Sequence, residues 1–204
     1  MNPVAAALLM LAISQPGESR LKEEERARRG ELARVRKARG EGDPGIADAV
    51  IGLASNLEAQ GRARAVEDLY RLEIDVSRKG ADKSNTRVLS LAFAEWLLRA
   101  RRPADAELLA RGALDLGRQS LGAEDWRLSD ARSLIGETLL AQKKFAPAES
   151  LLLEAQEKLA AAVAAPPEAR KKTIRRLVDL YEAWERASPG QGKMEEAARW
   201  KARL

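Results

Sequence analysis

The stretch "IGETLLAQKKFAPAESLLLEAQEK", Ile135 to Lys158, repeats the pattern of "FAEWLLRARRPADAELLARGALDL", Phe93 to Leu116, at a spacing of 42 residues. In each, a bulky–small–bulky set (Ile135-Gly136-Leu139; Phe93-Ala94-Leu97) leads to a basic break. A second apolar series at helical spacing follows: Leu152, Ala155 and Leu159 in one copy, Leu109, Ala113 and Leu116 in the other. Apolar residues at a 3.6-residue period on both sides of a short break predict two helices joined by a turn. Recurrence of the whole unit at a fixed period predicts an array of stacked hairpins.

Further copies extend the array. Leu53-Ala54-Leu57 and Leu177-Val178-Tyr181 carry the same signature, and Ala106 and Ala148 each precede a Glu in the second segment. The loops at 79–86, 121–129 and 163–171 separate the pairs, with Gly80, Gly122 and Ala164 in register. Within pairs the breaks are Gly61-Arg62, Arg101-Arg102-Pro103 and Lys143-Lys144, with a longer one in "ERASPGQGK" (185–193). Basic residues suit a helix C-terminus and Pro103 a first turn. The expected helices are 19–39, 46–60, 63–79, 85–101, 103–120, 127–143, 145–162, 168–187 and 193–203. Small residues permit close approach, so Gly136 or Ala94 is expected against Ala148 or Ala106. One hairpin cannot bury its apolar face alone, and stacking is required.

These residues carry a family resemblance. "LLAQKKFAPAESLLLEA" (139–155), with Phe145 just after the turn, resembles the helix-turn-helix core of tetratricopeptide repeat (TPR) proteins. The type is the long, 42-residue, kinesin-light-chain-like repeat found in many bacterial proteins. "LEAQGRARAVEDLY" (57–70), "LVDLYEAW" (177–184) and "KMEEAARWKARL" (193–204) resemble further copies. The chain departs from the pattern where the usual turn glycine, kept as Gly61, is replaced by Arg101, Lys143 and Glu185. Val178 also stands where a small residue is usual, and the final helix is short. The resemblance implies an all-α fold, a right-handed α-solenoid of antiparallel helix hairpins. About four repeats (46–84, 85–126, 127–167, 168–204) would follow a charged N-terminal helix and turn (15–45). It also implies a concave groove, lined by the first helix of each pair, that binds a peptide or helix of a partner protein and does no chemistry.

Composition narrows the functions. The chain has no His and no Cys, which removes Ser-His and Cys-His nucleophiles, disulfides and most zinc sites. No carboxylate pair stands out from surface positions, so the expectation is a non-enzyme without cofactor or metal. "GEGDPG" (40–45) lacks the Lys-Ser/Thr of a phosphate loop and reads as an interhelical turn. Aromatics are 4% of the chain, and Trp96, Trp126, Trp184 and Trp200 read as packing residues. Residues 1–14 contain a ten-residue apolar run, Val4 to Ile13, too short to span a bilayer. They read either as a signal peptide, which would place the chain in the periplasm or outside the cell, or as an apolar N-terminal helix of a cytoplasmic protein.

Two surfaces are candidates for partner binding. Equivalent positions on the first helices give one row of Glu95, Glu137 and Asp179, with Ser55 in the first copy. A second row, three residues on, is Glu58, Leu98, Leu140 and Glu182. Together Glu95, Leu98, Glu137, Leu140, Asp179 and Glu182 predict an acidic stripe beside an apolar strip, suited to a basic or amphipathic peptide. Lys172 and Arg175 would change the sign of the groove toward its end. The other surface is a basic edge of Arg62, Arg101, Arg102, Lys143 and Lys144 at successive turns. It would make the chain an adaptor for nucleic acid or another anionic surface. Helix-dipole complementarity explains those charges without a ligand, and no aromatic accompanies the basic clusters at 26–40 and 169–176, so nucleic acid is the disfavoured partner. The net charge of +5 permits an acidic partner without requiring one. Oligomeric state is not fixed by these features.

Overall fold

The structure, a computed structural model, describes residues 16–204; the segment 1–14 lies outside the described residues. Every element among them is an α-helix: α1 (Pro16–Arg39), α2 (Gly45–Ala59), α3 (Ala63–Arg78), α4 (Ser84–Arg99), α5 (Pro103–Ser120), α6 (Trp126–Ala141), α7 (Phe145–Ala161), α8 (Pro167–Ala187) and α9 (Lys193–Lys201). The chain divides into two units, one ending at Asn85 and one spanning Thr86–Leu204. The division falls in the first turn of α4, which is described with the second unit.

In the first unit α1 packs on α2 and α2 on α3. Leu32 of α1, Val50, Leu53 and Leu57 of α2, and Val66, Tyr70 and Ile74 of α3 are buried. "GEGDPG" is a turn, as expected. Gly40 takes a positive φ of 83°, the Asp43 carboxylate accepts from Gly45 N at 2.8 Å, and the buried Asn85 amide donates to the Glu41 and Asp43 carbonyls. Glu73, almost fully buried on α3, pairs with Arg36 of α1, whose guanidinium also reaches Glu41 at 3.0 Å. Burial pushes the Glu73 carboxyl above its ordinary value, and the Arg36 charge only partly offsets it.

In the second unit α5 packs on α6, α6 on α7, α7 on α8 and α8 on α9, while the first helices α6 and α8 also touch. The signature residues form the core: Phe93, Ala94, Leu97, Ile135, Leu139, Leu152, Leu159, Leu177 and Tyr181 are all buried. The small-residue expectation is met at Gly136. A Cβ there would stand 2.6 Å from Leu152 Cγ and 3.4 Å from the Ala148 carbonyl oxygen, so the α6–α7 approach depends on its absence. Val178, in the place usual for a small residue, is buried as well.

The turns explain the helix ends. At Gly61, Arg101 and Lys143 the backbone is left-handed (φ 70°, 58° and 60°). The next amide bonds five residues back: Arg62 to Leu57, Arg102 to Leu97 and Lys144 to Leu139, at 2.9–3.0 Å. This double-bonded C-terminal motif normally uses Gly. The expected helices 85–101 and 127–143 overran by two residues because Arg and Lys occupy the left-handed position. The last hairpin differs. At Glu185 the helix continues, running to Ala187, and the Glu185 carboxylate accepts from Gly190 N at 2.5 Å and Lys193 N at 2.9 Å. It thereby takes up an orphan amide at the start of α9.

The tryptophans pack as expected. Trp96 stacks on Phe93 at 5.9 Å between ring centroids, and Trp126 covers Leu159, Ala165 and Ala169. Trp184 stacks on Phe145 at 5.5 Å with Lys193 Nζ 3.8 Å above its ring centroid. Arg203 lies over Trp200.

Candidate functional site

The first helices of the second unit, α4, α6 and α8, converge on one groove of about 460 Å³. Its lining is Glu95, Leu98 and Arg99 from α4, Glu137, Leu140 and Ala141 from α6, and Lys172, Arg176 and Asp179 from α8. Five of the six groove residues expected from sequence therefore come together. Positions that are equivalent in successive hairpins face the same way, which is why a row in the sequence becomes a wall in space. Glu182 does not line this groove; it lies one turn past Asp179, 3.9 Å from Arg186. Glu58 and Ser55 belong to the first unit. A second recess of about 560 Å³ continues from the shared residues Leu140, Ala141 and Asp179 to Lys143, Phe145, Ala183, Arg186 and Ala187.

The charge of the groove differs from the expected acidic stripe. Two cations of α8 reach across it. Lys172 Nζ pairs with Glu95, and Arg176 Nε donates to Glu137 Oε2 at 2.6 Å. Three carboxylates thus face three cations in the lining, and the net charge of the wall is close to zero. The expectation that Lys172 and Arg175 change the sign of the groove is corrected in its second member. Arg176, four residues after Lys172, shares its face of α8, whereas Arg175 points away and is exposed. Arg99 and Ala141 were also missed; their offsets from Glu95 and Glu137 put them on the same walls.

Arg176 is buried, with 4% of its side chain exposed. Its Nη1 donates to Ser133 Oγ at 2.9 Å, but its Nη2 makes no hydrogen bond and stands 3.9 Å from Glu95 Oε1. Asp179 has no ion pair among the described residues. Partial burial of its carboxyl, and then the Glu182 and Glu137 charges beside it, push it above the ordinary aspartate value, and the Arg186 charge only partly offsets them. The groove floor between these groups is apolar, formed by half-buried Leu98 and Leu140.

The basic-edge residues are held locally. Arg62 pairs with Glu25 at 2.7 Å, Arg102 with Asp105 at 2.7 Å and Lys144 with Glu107 at 3.8 Å. Gln60 and Gln142 donate to the same Glu25 and Glu107. Burial works against ionisation of Glu107, but the hydrogen bonds from Gln142 and Arg111 outweigh it and hold the carboxyl below its ordinary value. Arg101 and Lys143 occupy the left-handed turn positions, and Lys143 also borders the second recess. Among the described residues no group of three or more His, Cys, Asp or Glu could hold a metal ion. No helix among them is long and apolar enough to cross a membrane.

No family model and no curated protein sequence matches the chain. Solved structures do match. BtubC (BKLC) from P. vanneervenii is similar with a TM-score of 0.72 at 18% identity, over 90% of this chain and 74% of that one. Nearly identical TPR-like repeats of a putative kinesin light chain from Podosopora anserina are similar at 16% identity, with a TM-score of 0.63 over 96% of this chain and 92% of that one. A single-substitution form of the same repeats gives 0.65 at 15% identity, over 95% and 90%. The chain has the TPR-like helical-repeat fold.

Proposed function

We propose that the chain is a non-catalytic interaction module, a scaffold or adaptor, whose groove on α4, α6 and α8 holds a segment of a partner protein. The observation that carries this reading is the juxtaposition of an apolar floor, Leu98 and Leu140, with an unpaired carboxylate, Asp179. An apolar side chain of a partner would lose water against the floor, and a basic one would neutralise Asp179. The alternative, binding of nucleic acid through the turn edge, is the weaker reading: Arg62, Arg102 and Lys144 each stand beside a carboxylate that would repel phosphate.

The test is capture of partners by the full chain and by Leu98→Gln/Leu140→Gln/Asp179→Asn, with thermal unfolding followed in parallel. A protein retained by the native chain and lost by the variant, at unchanged melting temperature, supports the groove. Equal retention by both overturns it.

A further inference from the structure

Glu95 faces two cations of α8. It is paired with Lys172, while the buried Arg176 Nη2, with no hydrogen bond of its own, waits 3.9 Å from the same Glu95 oxygen. A buried charged donor without an acceptor is unfavourable, and moving Glu95 onto it would supply one. The Lys172–Glu95 pair is the weaker holding, since 42% of the Lys172 side chain and 36% of that of Glu95 are exposed and such pairs add little in water. Lys172 can therefore leave Glu95 with Arg176 still beside that carboxylate, the same guanidinium then holding Glu95 and Glu137 together.

Resting on the groove reading above, we infer that the occupant carries a carboxylate side chain that draws Lys172 off Glu95 and a basic side chain that pairs with Asp179, on either side of an apolar residue. Lys172 and Asp179 lie two turns apart on one face of α8, about 10 Å along its axis. The two charges of the occupant are thus separated by about seven residues in a helix or about three in an extended strand. Their order is fixed: the acid toward the start of α8, the base toward its end. The groove is read as a matched, polar socket instead of an acidic stripe.

The experiment selects phage-displayed random peptides against the full chain and against the charge-exchanged Lys172→Glu/Asp179→Lys variant. With the native chain, an acidic and a basic residue are expected to recur at that separation, and the best native peptide is expected to lose binding to the exchanged variant and to regain it when its own acidic and basic residues are exchanged. Lys172→Gln, a change at a half-exposed side chain, should weaken the best native peptide about tenfold, the value of one hydrogen bond to a charged group. Peptides bearing basic residues alone, with binding unchanged or tightened by Lys172→Gln, would mean that Lys172 stays on Glu95. This inference then falls while the groove reading stands. If no peptide is enriched, or if Leu98→Gln/Leu140→Gln displaces none, both fall.

Discussion

Arg101 and Lys143, 42 residues apart, hold the same left-handed backbone, φ 58° and 60°, at the same place in successive hairpins. Gly61 holds it in the first. A left-handed conformation costs a residue with a Cβ about 1–2 kcal/mol, partly offset because Gly loses more entropy on folding. Arg101→Gly and Lys143→Gly should each stabilise the chain by about 0.5–1 kcal/mol, and Gly61→Ala should destabilise it by a similar amount. Urea unfolding of the three variants checks this, and a loss of stability in both glycine variants would refute it.

Glu185 tests the last hairpin. Its carboxylate is the acceptor for Gly190 N and Lys193 N, so Glu185→Ala leaves the start of α9 uncapped at a cost of about 1–2 kcal/mol. Faster amide exchange is expected in α9 and the loop before it, with α4 to α7 unchanged. Uniform protection along the chain would show that the cap contributes nothing.

Gly136 tests the close approach of α6 and α7. Gly136→Ala places a methyl 2.6 Å from Leu152 Cγ, and the overpacking should cost about 1–3 kcal/mol. Leu152→Ala in the same chain makes room for the new methyl, so the double-mutant cycle should show a favourable coupling. Strict additivity would contradict the contact.

Arg36 and Glu73 give a pH-dependent prediction. Arg36→Met leaves Glu73 buried without its partner, and destabilisation of about 3 kcal/mol is expected at neutral pH. The folded-state value of Glu73 is already raised and rises further in the variant. The native state then binds a proton that the unfolded chain has released, so stability grows as pH falls and is lost as pH rises through the folded value. The deficit against the native chain should shrink between neutral pH and about pH 4. A deficit that stays constant over that range would count against a buried, unpaired Glu73.

Much of this architecture is legible in the sequence. The period of Phe93-Ala94-Leu97 against Ile135-Gly136-Leu139 gives the hairpins, and the basic breaks give the turns, because helix periodicity and turn chemistry are local properties of neighbouring residues. The row of Glu95, Glu137 and Asp179 is also local in this sense, since equivalent positions in a repeat share a direction. The left-handed state of Arg101 and Lys143 was visible only as a missing glycine.

What the tertiary structure alone decides is how the charges meet. Lys172 and Glu95 are 77 positions apart, Arg176 and Glu137 39 apart, and Arg36 and Glu73 37 apart. The sequence by itself determined the helical hairpins, through the period of its apolar residues, and through its composition the absence of His or Cys chemistry. Whether a carboxylate in the groove is open or already neutralised depends on how far a flexible Lys or Arg side chain reaches across the packed helices. That distance is set by the approach of α4, α6 and α8, because side-chain pairing between elements follows from packing and not from spacing along the chain.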